Sequence, residues 1–244
     1  IGYRLVGSEM CIRDSKKADL IRSISEFTEK QVLNFGYQGL FVRFPAWINI
    51  DNYLNADIKR SYSDTFKIIF VGSVTERKNP KIIIESLETI DGNVSLEIIG
   101  QTPNLKYLKE LNNLISSSKH AESITMTPFI KAEELISKYS SANLFILPSK
   151  SEGLGRVIIE AQSTACPVLV SSNTGMVDLI IENETGYIFE NNNKNDLSNK
   201  IQHIMNNYES ALQTGLNSKN FIKENQSVAN FEFGYKKLID LVSI

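Results

Sequence analysis

Glu152 and Glu160 stand seven residues apart in the stretch Pro148-Ser149-Lys150-Ser151-Glu152-Gly153-Leu154-Gly155-Arg156-Val157-Ile158-Ile159-Glu160-Ala161. A carboxylate accepts paired hydrogen bonds from vicinal hydroxyls, so two of them suit a ligand carrying hydroxyls at both ends. If a helix opens at Gly155, Glu160 lies roughly 7 to 8 Å along its axis, a separation that suits a nucleotide-sugar. The plainer reading makes Glu152 a complement to the helix dipole and Glu160 a solvated side chain. Against it, Glu160 interrupts the apolar run Val157-Ile158-Ile159-Glu160-Ala161, where a carboxylate needs a reason to be. A second stretch, Gly72-Ser73-Val74-Thr75-Glu76-Arg77-Lys78-Asn79-Pro80, offers a glycine for close backbone approach and two cations just before a predicted helix. Helix N-terminal amides carry roughly half a positive charge and Lys78 adds a full one, so the two stretches together describe a cradle for a diphosphate. Alone, Lys78 would read as a solvated lysine and the Gly153/Gly155 pair as turn chemistry. Arg77 is assigned to solvent.

The elements that must position these residues follow from the hydrophobic pattern. Short β-rich runs alternate with helical stretches from Ala18 onward, the signature of βαβ units and a mainly parallel sheet. Early strands are predicted at 18–25 and 41–44, with a helix at 25–35 ending at Gly36 between them and Pro45 following the second. Residues 46–64 are polar and without periodicity, which predicts a linker. Beyond them, strands are predicted at 67–71, 95–99, 123–126, 143–147, 167–170 and 186–189. Helices are predicted at 80–89, 105–118, 132–140, 155–165, 176–182, 197–207, 211–223 and 228–242. The fold class is α/β, a doubly wound, Rossmann-like parallel sheet. In such a sheet ligands bind beyond the carboxyl ends of the strands, which is where both candidate stretches fall. The Asn-rich run 191–195 reads as a solvated loop, and His120 and His203 as surface residues off this edge.

The chain's 244 residues suffice for a core without staples. With 26 Lys and Arg against 28 Asp and Glu, no strong field favours nucleic acid. Cys11 and Cys166, far apart and without a His cluster, support neither a disulfide framework nor a metal site. No apolar run reaches the roughly 18 residues of a membrane span, so a cytoplasmic location is expected, with peripheral association at the inner face of the membrane as the alternative for the whole protein. The opening run Val6-Gly7-Ser8-Glu9-Met10-Cys11-Ile12-Arg13-Asp14-Ser15 resembles translated adaptor sequence of metagenomic reading frames, so residues 1–15 are set aside as a non-native segment of a fragment.

The segment from Pro148 to Ala161 resembles the E-x7-E signature of the GT-B fold, family 4 (group 1) glycosyltransferases. Phe70-Val71-Gly72 with Lys78 resembles that family's first donor loop, and Pro167-Val168-Leu169-Val170-Ser171 with Thr174-Gly175 and Thr185-Gly186 its later landmarks. The resemblance implies that 16–60 is the end of a truncated N-terminal acceptor domain with its linker, and 61–244 the nucleotide-sugar-binding domain with its closing helix. It implies transfer of a sugar, with retention and without an obligatory metal or other cofactor, from a nucleoside-diphosphate sugar to a glycan, lipid or small-molecule acceptor. By the family pattern the donor contacts are Gly72, Ser73, Lys78, Ile130, Glu152, Gly153, Leu154, Gly155 and Glu160. Glu152 holds the donor sugar, Lys78 the leaving diphosphate and Glu160 the ribose; main chain near Phe129 and Ile130 meets the base, unless that pair is plain core. Ser73 departs from the arginine often found there, leaving more of the charge to Lys78. A nucleotide-sugar epimerase and a non-catalytic nucleotide-sugar-binding domain are the alternatives, and the fragment itself is expected to bind donor without necessarily turning it over. A dinucleotide-dependent oxidoreductase is poorly supported, because no Gly-x-Gly-x-x-Gly follows the first strand of the regular alternation.

Overall fold

The computed structural model describes residues 17–44, 46–62 and 64–242. The adaptor-like segment 1–15, with Cys11, and the position of Pro45 lie outside them. The chain divides into two compact units, Ile1–Ile48 with Asn225–Ile244, and Asn49–Glu224.

In the first unit β1 (Leu20–Ser23) pairs in parallel with β2 (Leu40–Arg43), Leu20 opposite Leu40 and Ser23 opposite Arg43. The connection is α1 (Glu26–Asn34), begun by a capping box in which the Ser25 side chain accepts from the Thr28 amide while Thr28 Oγ1 accepts from the Ser25 amide, each at 3.2 Å. The predicted strand at 18–25 is shortened because Ser25 turns out to be this cap. Gly36 ends the helix with φ of +86°, a left-handed conformation that favours glycine. The last helix, α9 (Val228–Val242), lies as predicted and packs Phe231 and Tyr235 edge-on to Phe44, which carries the Arg22 guanidinium over its ring at 4.2 Å. Gly234 makes this approach feasible, since a Cβ there would lie 2.4 Å from Phe44 Cγ.

The second unit holds a six-stranded, wholly parallel sheet in the order β5-β4-β3-β6-β7-β8. The strands are β3 (Phe66–Val71), β4 (Val94–Ile99), β5 (Ile124–Thr127), β6 (Leu144–Leu147), β7 (Val168–Ser171) and β8 (Tyr187–Phe189). Every residue of β6 and β7 is buried, as expected of strands covered on both faces. Helices α2 (Asp51–Leu54), α3 (Lys81–Leu87), α4 (Leu105–Ser117), α5 (Ala132–Ser141), α6 (Arg156–Ser163), α7 (Lys194–Asn206) and α8 (Tyr208–Asn225) complete the unit. The chain lays down β3, β4 and β5 in one direction, returns through α5, and lays down β6, β7 and β8 in the other. Strand order therefore reverses between β3 and β6, at the point where a doubly wound sheet opens its ligand crevice.

Three local expectations are corrected. The helix predicted at 176–182 is a 3₁₀ segment, Gly175–Leu179, because the Gly175 amide is tied back to the Glu152 carbonyl at 2.7 Å and the Ile181 amide is taken by Thr185 Oγ1 at 2.8 Å. The stretch predicted as a linker contains α2 and Arg60, whose guanidinium donates to the carbonyls of Tyr139, Ala142, Thr164 and Ala165 at 2.6 to 3.1 Å. The Asn-rich run does more than meet solvent: Asn193 caps α7, Asn191 Oδ1 accepts from Ser171, and Asn192 takes a left-handed φ of +59°.

Candidate functional site

The two stretches singled out by sequence emerge side by side at the reversal point, 72–80 from the carboxyl end of β3 and 148–155 from that of β6. Each is held by its backbone. Gly72 donates to the Ile99 carbonyl and Val74 to that of Gln101, and the fully buried Val74 side chain pins the loop. A Cβ on Gly100 would sit 1.9 Å from the Gly72 carbonyl oxygen, so the strand ends meet only because Gly100 lacks one; at Gly72 a Cβ would have room, and glycine is favoured there by its φ of +147°. The loops are then stitched together, the Lys150 amide donating to the Arg77 carbonyl at 2.8 Å and Arg77 Nη1 to that of Ser151 at 2.8 Å.

The side-chain centre of this stitching is an ion pair. Lys78 Nζ contacts Glu152 Oε2, with both side chains little exposed, and Arg77 Nη1 approaches the same oxygen at 3.4 Å. The main chain of Glu152 is fixed on the opposite flank through the Asn173 carbonyl and the Gly175 amide. Glu152 therefore does not cap α6, whose N-cap is Gly155 with no side-chain cap. Gly155 is buried, and a Cβ there would lie 2.7 Å from Ile158 Cδ1. Gly153 and Leu154 are half-buried beside it, and Ser73 is exposed at the start of the first loop. Gly72, Ser73, Lys78, Glu152, Gly153, Leu154 and Gly155 are thus gathered on the two adjoining loops.

Glu160 is the fifth residue of α6. It is half-buried, between fully buried Ile159 and Ala161, rather than solvated. Burial pushes its carboxyl above the usual range, opposed by the Arg156 guanidinium and by a long hydrogen bond of 3.5 Å from the Tyr139 hydroxyl. Ile130 stands apart, on the loop after β5 and two strands from β3, about 10 Å away at ordinary strand spacing. Ile130 is half-buried and its neighbour Phe129 is 72% exposed, so the two are not a plain core pair.

Arg77, which sequence alone leaves to solvent, is 57% exposed and nonetheless bonds both Ser151 and Glu152. Nothing in the spacing of Tyr139 and Tyr53 links α5 and α2 to α6, so their place beside Glu160 is not legible in the sequence. Neither histidine belongs to this edge: His203 is exposed, whereas His120 is half-buried with Nε2 3.1 Å from the Leu87 carbonyl oxygen. Among the described residues no cluster of three His, Cys, Asp or Glu could hold a metal ion, and no helix is long and apolar enough to cross a membrane.

A parallel sheet reversing at β3/β6, with amides, cations and carboxylates gathered above the reversal, defines a doubly wound α/β domain. The chain belongs to the glycosyl transferases group 1 family, whose model matches residues 54–221, almost the whole of the second unit. It is 31% identical over 179 residues to an uncharacterised glycosyltransferase of Methanocaldococcus jannaschii, covering 72% of this chain and 49% of that one. It is 29% identical over 205 residues to the capsular polysaccharide biosynthesis glycosyltransferase CapM of Staphylococcus aureus, covering 81% and 52%. The chain thus spans about half the length of these curated relatives. In fold it is similar to the Anabaena protein HepE, solved in complex with UDP and glucose, with a TM-score of 0.82 at 16% identity over 98% of this chain and 68% of that one.

Proposed function

We propose that this chain is the donor-binding part of a retaining glycosyltransferase that takes a nucleoside-diphosphate sugar. The observation that carries the reading is the set of Lys78, Glu152 and the 153–155 backbone at the sheet reversal, with Glu160 one helical turn and more beyond it. Breaking the bond between the anomeric carbon and the phosphate oxygen leaves negative charge on the diphosphate while the sugar becomes oxocarbenium-like. A fixed ammonium at Lys78 and the amides of Ser73 and Gly153 to Gly155 stabilise that charge where it develops, while Gly72, whose own amide is taken by the Ile99 carbonyl, lets the backbone come close to the ligand. Glu152, itself anchored by Lys78 and Arg77, receives the donor-sugar hydroxyls, and Glu160 the ribose. Ile130 backbone, about 10 Å out along the sheet edge, meets the base. In this reading the second unit, 49–224, is the nucleotide-sugar domain, narrower at its end than the 61–244 expected from sequence because 225–244 groups with the first unit, and the first unit belongs to an acceptor domain that recognises a glycan, lipid or small molecule.

HepE, a fold relative, was solved with UDP and glucose, which makes uridine nucleotides the first donors to try. Calorimetry of the chain with UDP-, GDP- and ADP-sugars is expected to show binding of one class. Glu160→Ala raises its dissociation constant about tenfold or more, given the strength of charged hydrogen bonds. An unchanged constant in that variant removes Glu160 from the site. Glycosyl transfer itself is read with the full-length protein and a panel of acceptors.

A further inference from the structure

Tyr139 lies near the end of α5 and is fully buried. Its ring stands edge-on to Phe145 of β6 at 5.7 Å and 6.2 Å from the ring of Tyr53 in α2. Its carbonyl is held by Arg60 Nη2 at 3.0 Å, so both backbone and ring are fixed. A side chain that only filled this space would need no oxygen, and a buried hydroxyl is costly unless it is bonded. The Tyr139 hydroxyl donates to Glu160 Oε2. Burial, and after it the Glu160 charge, hold the phenol well above its usual pKa, so it faces the carboxylate as a donor throughout the ordinary pH range. Tyr53 is likewise pushed up to about 12, by burial first and the Glu160 charge second, with Arg156 pulling it back. A glutamate has three side-chain torsions to fix before it can grip a ligand, and each costs entropy unless something has already set it.

We propose that Tyr139 is a positioning residue for Glu160, its hydroxyl holding Oε2 so that Oε1 and the remaining lone pairs are set for the vicinal hydroxyls of the donor ribose. Tyr139 acts through Glu160 and does not touch the nucleotide. The proposal rests on the assignment of Glu160 to the ribose, and the two can fail separately.

The test compares UDP, GDP and ADP with their 2′,3′-dideoxy counterparts by calorimetry on the 244-residue chain, its Tyr139→Phe and Glu160→Ala variants, and the double variant. Expected are a preference of about tenfold or more for the ribose form in the unaltered chain, its loss in E160A, a three- to tenfold reduction in Y139F, and no further loss in the double variant. Melting temperature and affinity for inorganic diphosphate stay near those of the unaltered chain in Y139F, which a merely structural role would not produce. If E160A keeps the ribose preference, the assignment of Glu160 falls and this proposal with it. If E160A loses it while Y139F keeps it whole, Tyr139 has no positioning role and the assignment stands. Should Y139F not fold, 3-fluorotyrosine at 139 serves instead. Its fluorine resonance is expected to move with the ribonucleotide and not with the dideoxy form, and equal response to both overturns the proposal.

Discussion

At the scale of single residues, the site combines a carboxylate that is paired with one that is not fully compensated. Glu152 is anchored by Lys78 and Arg77, so Lys78→Ala removes the ammonium proposed to meet the diphosphate and leaves a little-exposed carboxylate with Arg77 as its one cation. Nucleotide affinity in K78A is expected to fall at least tenfold by calorimetry, whereas the unpaired nucleoside, lacking phosphate, should bind as before. Glu160 is the opposite case. Its pKa is raised in the folded chain, chiefly by burial. The folded state therefore holds a proton, in the window just above the ordinary value of 4.5, that the unfolded chain has released. The stability contribution of Glu160 consequently falls as pH rises through that window. Glu160→Gln has no such loss, so its stability relative to the unaltered chain should improve as pH rises above 4.5 in denaturant titrations. A difference that is flat or runs the other way contradicts the burial argument.

At the scale of elements, two contacts decide whether the loops and helices stand where the site needs them. Arg60 gathers the carbonyl ends of α5, which carries Tyr139, and α6, which carries Glu160. Its fork also meets the negative ends of two helix dipoles. Arg60→Ala is expected to cost about 3 kcal/mol, or roughly 6 to 12 °C in melting temperature, and Lys, a single point charge, should not restore it. Gly100 and Gly215 provide a paired comparison at opposite ends of the sheet. A Cβ at Gly100 strikes the Gly72 carbonyl at 1.9 Å, and one at Gly215 strikes the Ala165 carbonyl at 2.2 Å just before β7. Both alanine variants should lose about 2 kcal/mol or more by denaturant titration. Only G100A displaces the loop that carries Lys78, so only G100A should also weaken nucleotide binding.

At the scale of the whole molecule, a nearly balanced charge of −2 conceals a local cationic edge made by Lys78, Arg77 and Lys150 with the helix N-terminus behind them. A ligand that binds the folded chain alone stabilises it by mass action, about 2.7 kcal/mol at a hundred times its dissociation constant. A rise of roughly 5 to 10 °C in melting temperature is therefore expected with the cognate nucleotide. If the charge facing the diphosphate is supplied by Lys78 and backbone amides, as proposed above, the rise is unchanged by EDTA. A rise abolished by EDTA and restored by a divalent cation would mean that a metal, not Lys78, neutralises the phosphates.

The amino-acid sequence by itself determined the α/β alternation, the doubly wound sheet and the two loops that meet at its carboxyl edge. Those features are written in short-range patterns: apolar runs of strand length, a Ser/Glu helix start at 25 and 26, and glycines after β3 and β6. The last helix was legible to the residue because its apolar spacing is uninterrupted. The tertiary structure alone decided that Lys78 and Arg77 share Glu152 across 74 and 75 residues, and that Arg60 reaches carbonyls 79 to 105 residues away from within a stretch that reads as linker. It also decided that 175–179 is a 3₁₀ segment and that Tyr139 lies against Glu160. The physical reason is common to all four. Periodicity and capping report what a residue does within its own turn or strand, whereas these contacts arise when strand order reverses and brings distant loops and helix ends within hydrogen-bonding reach.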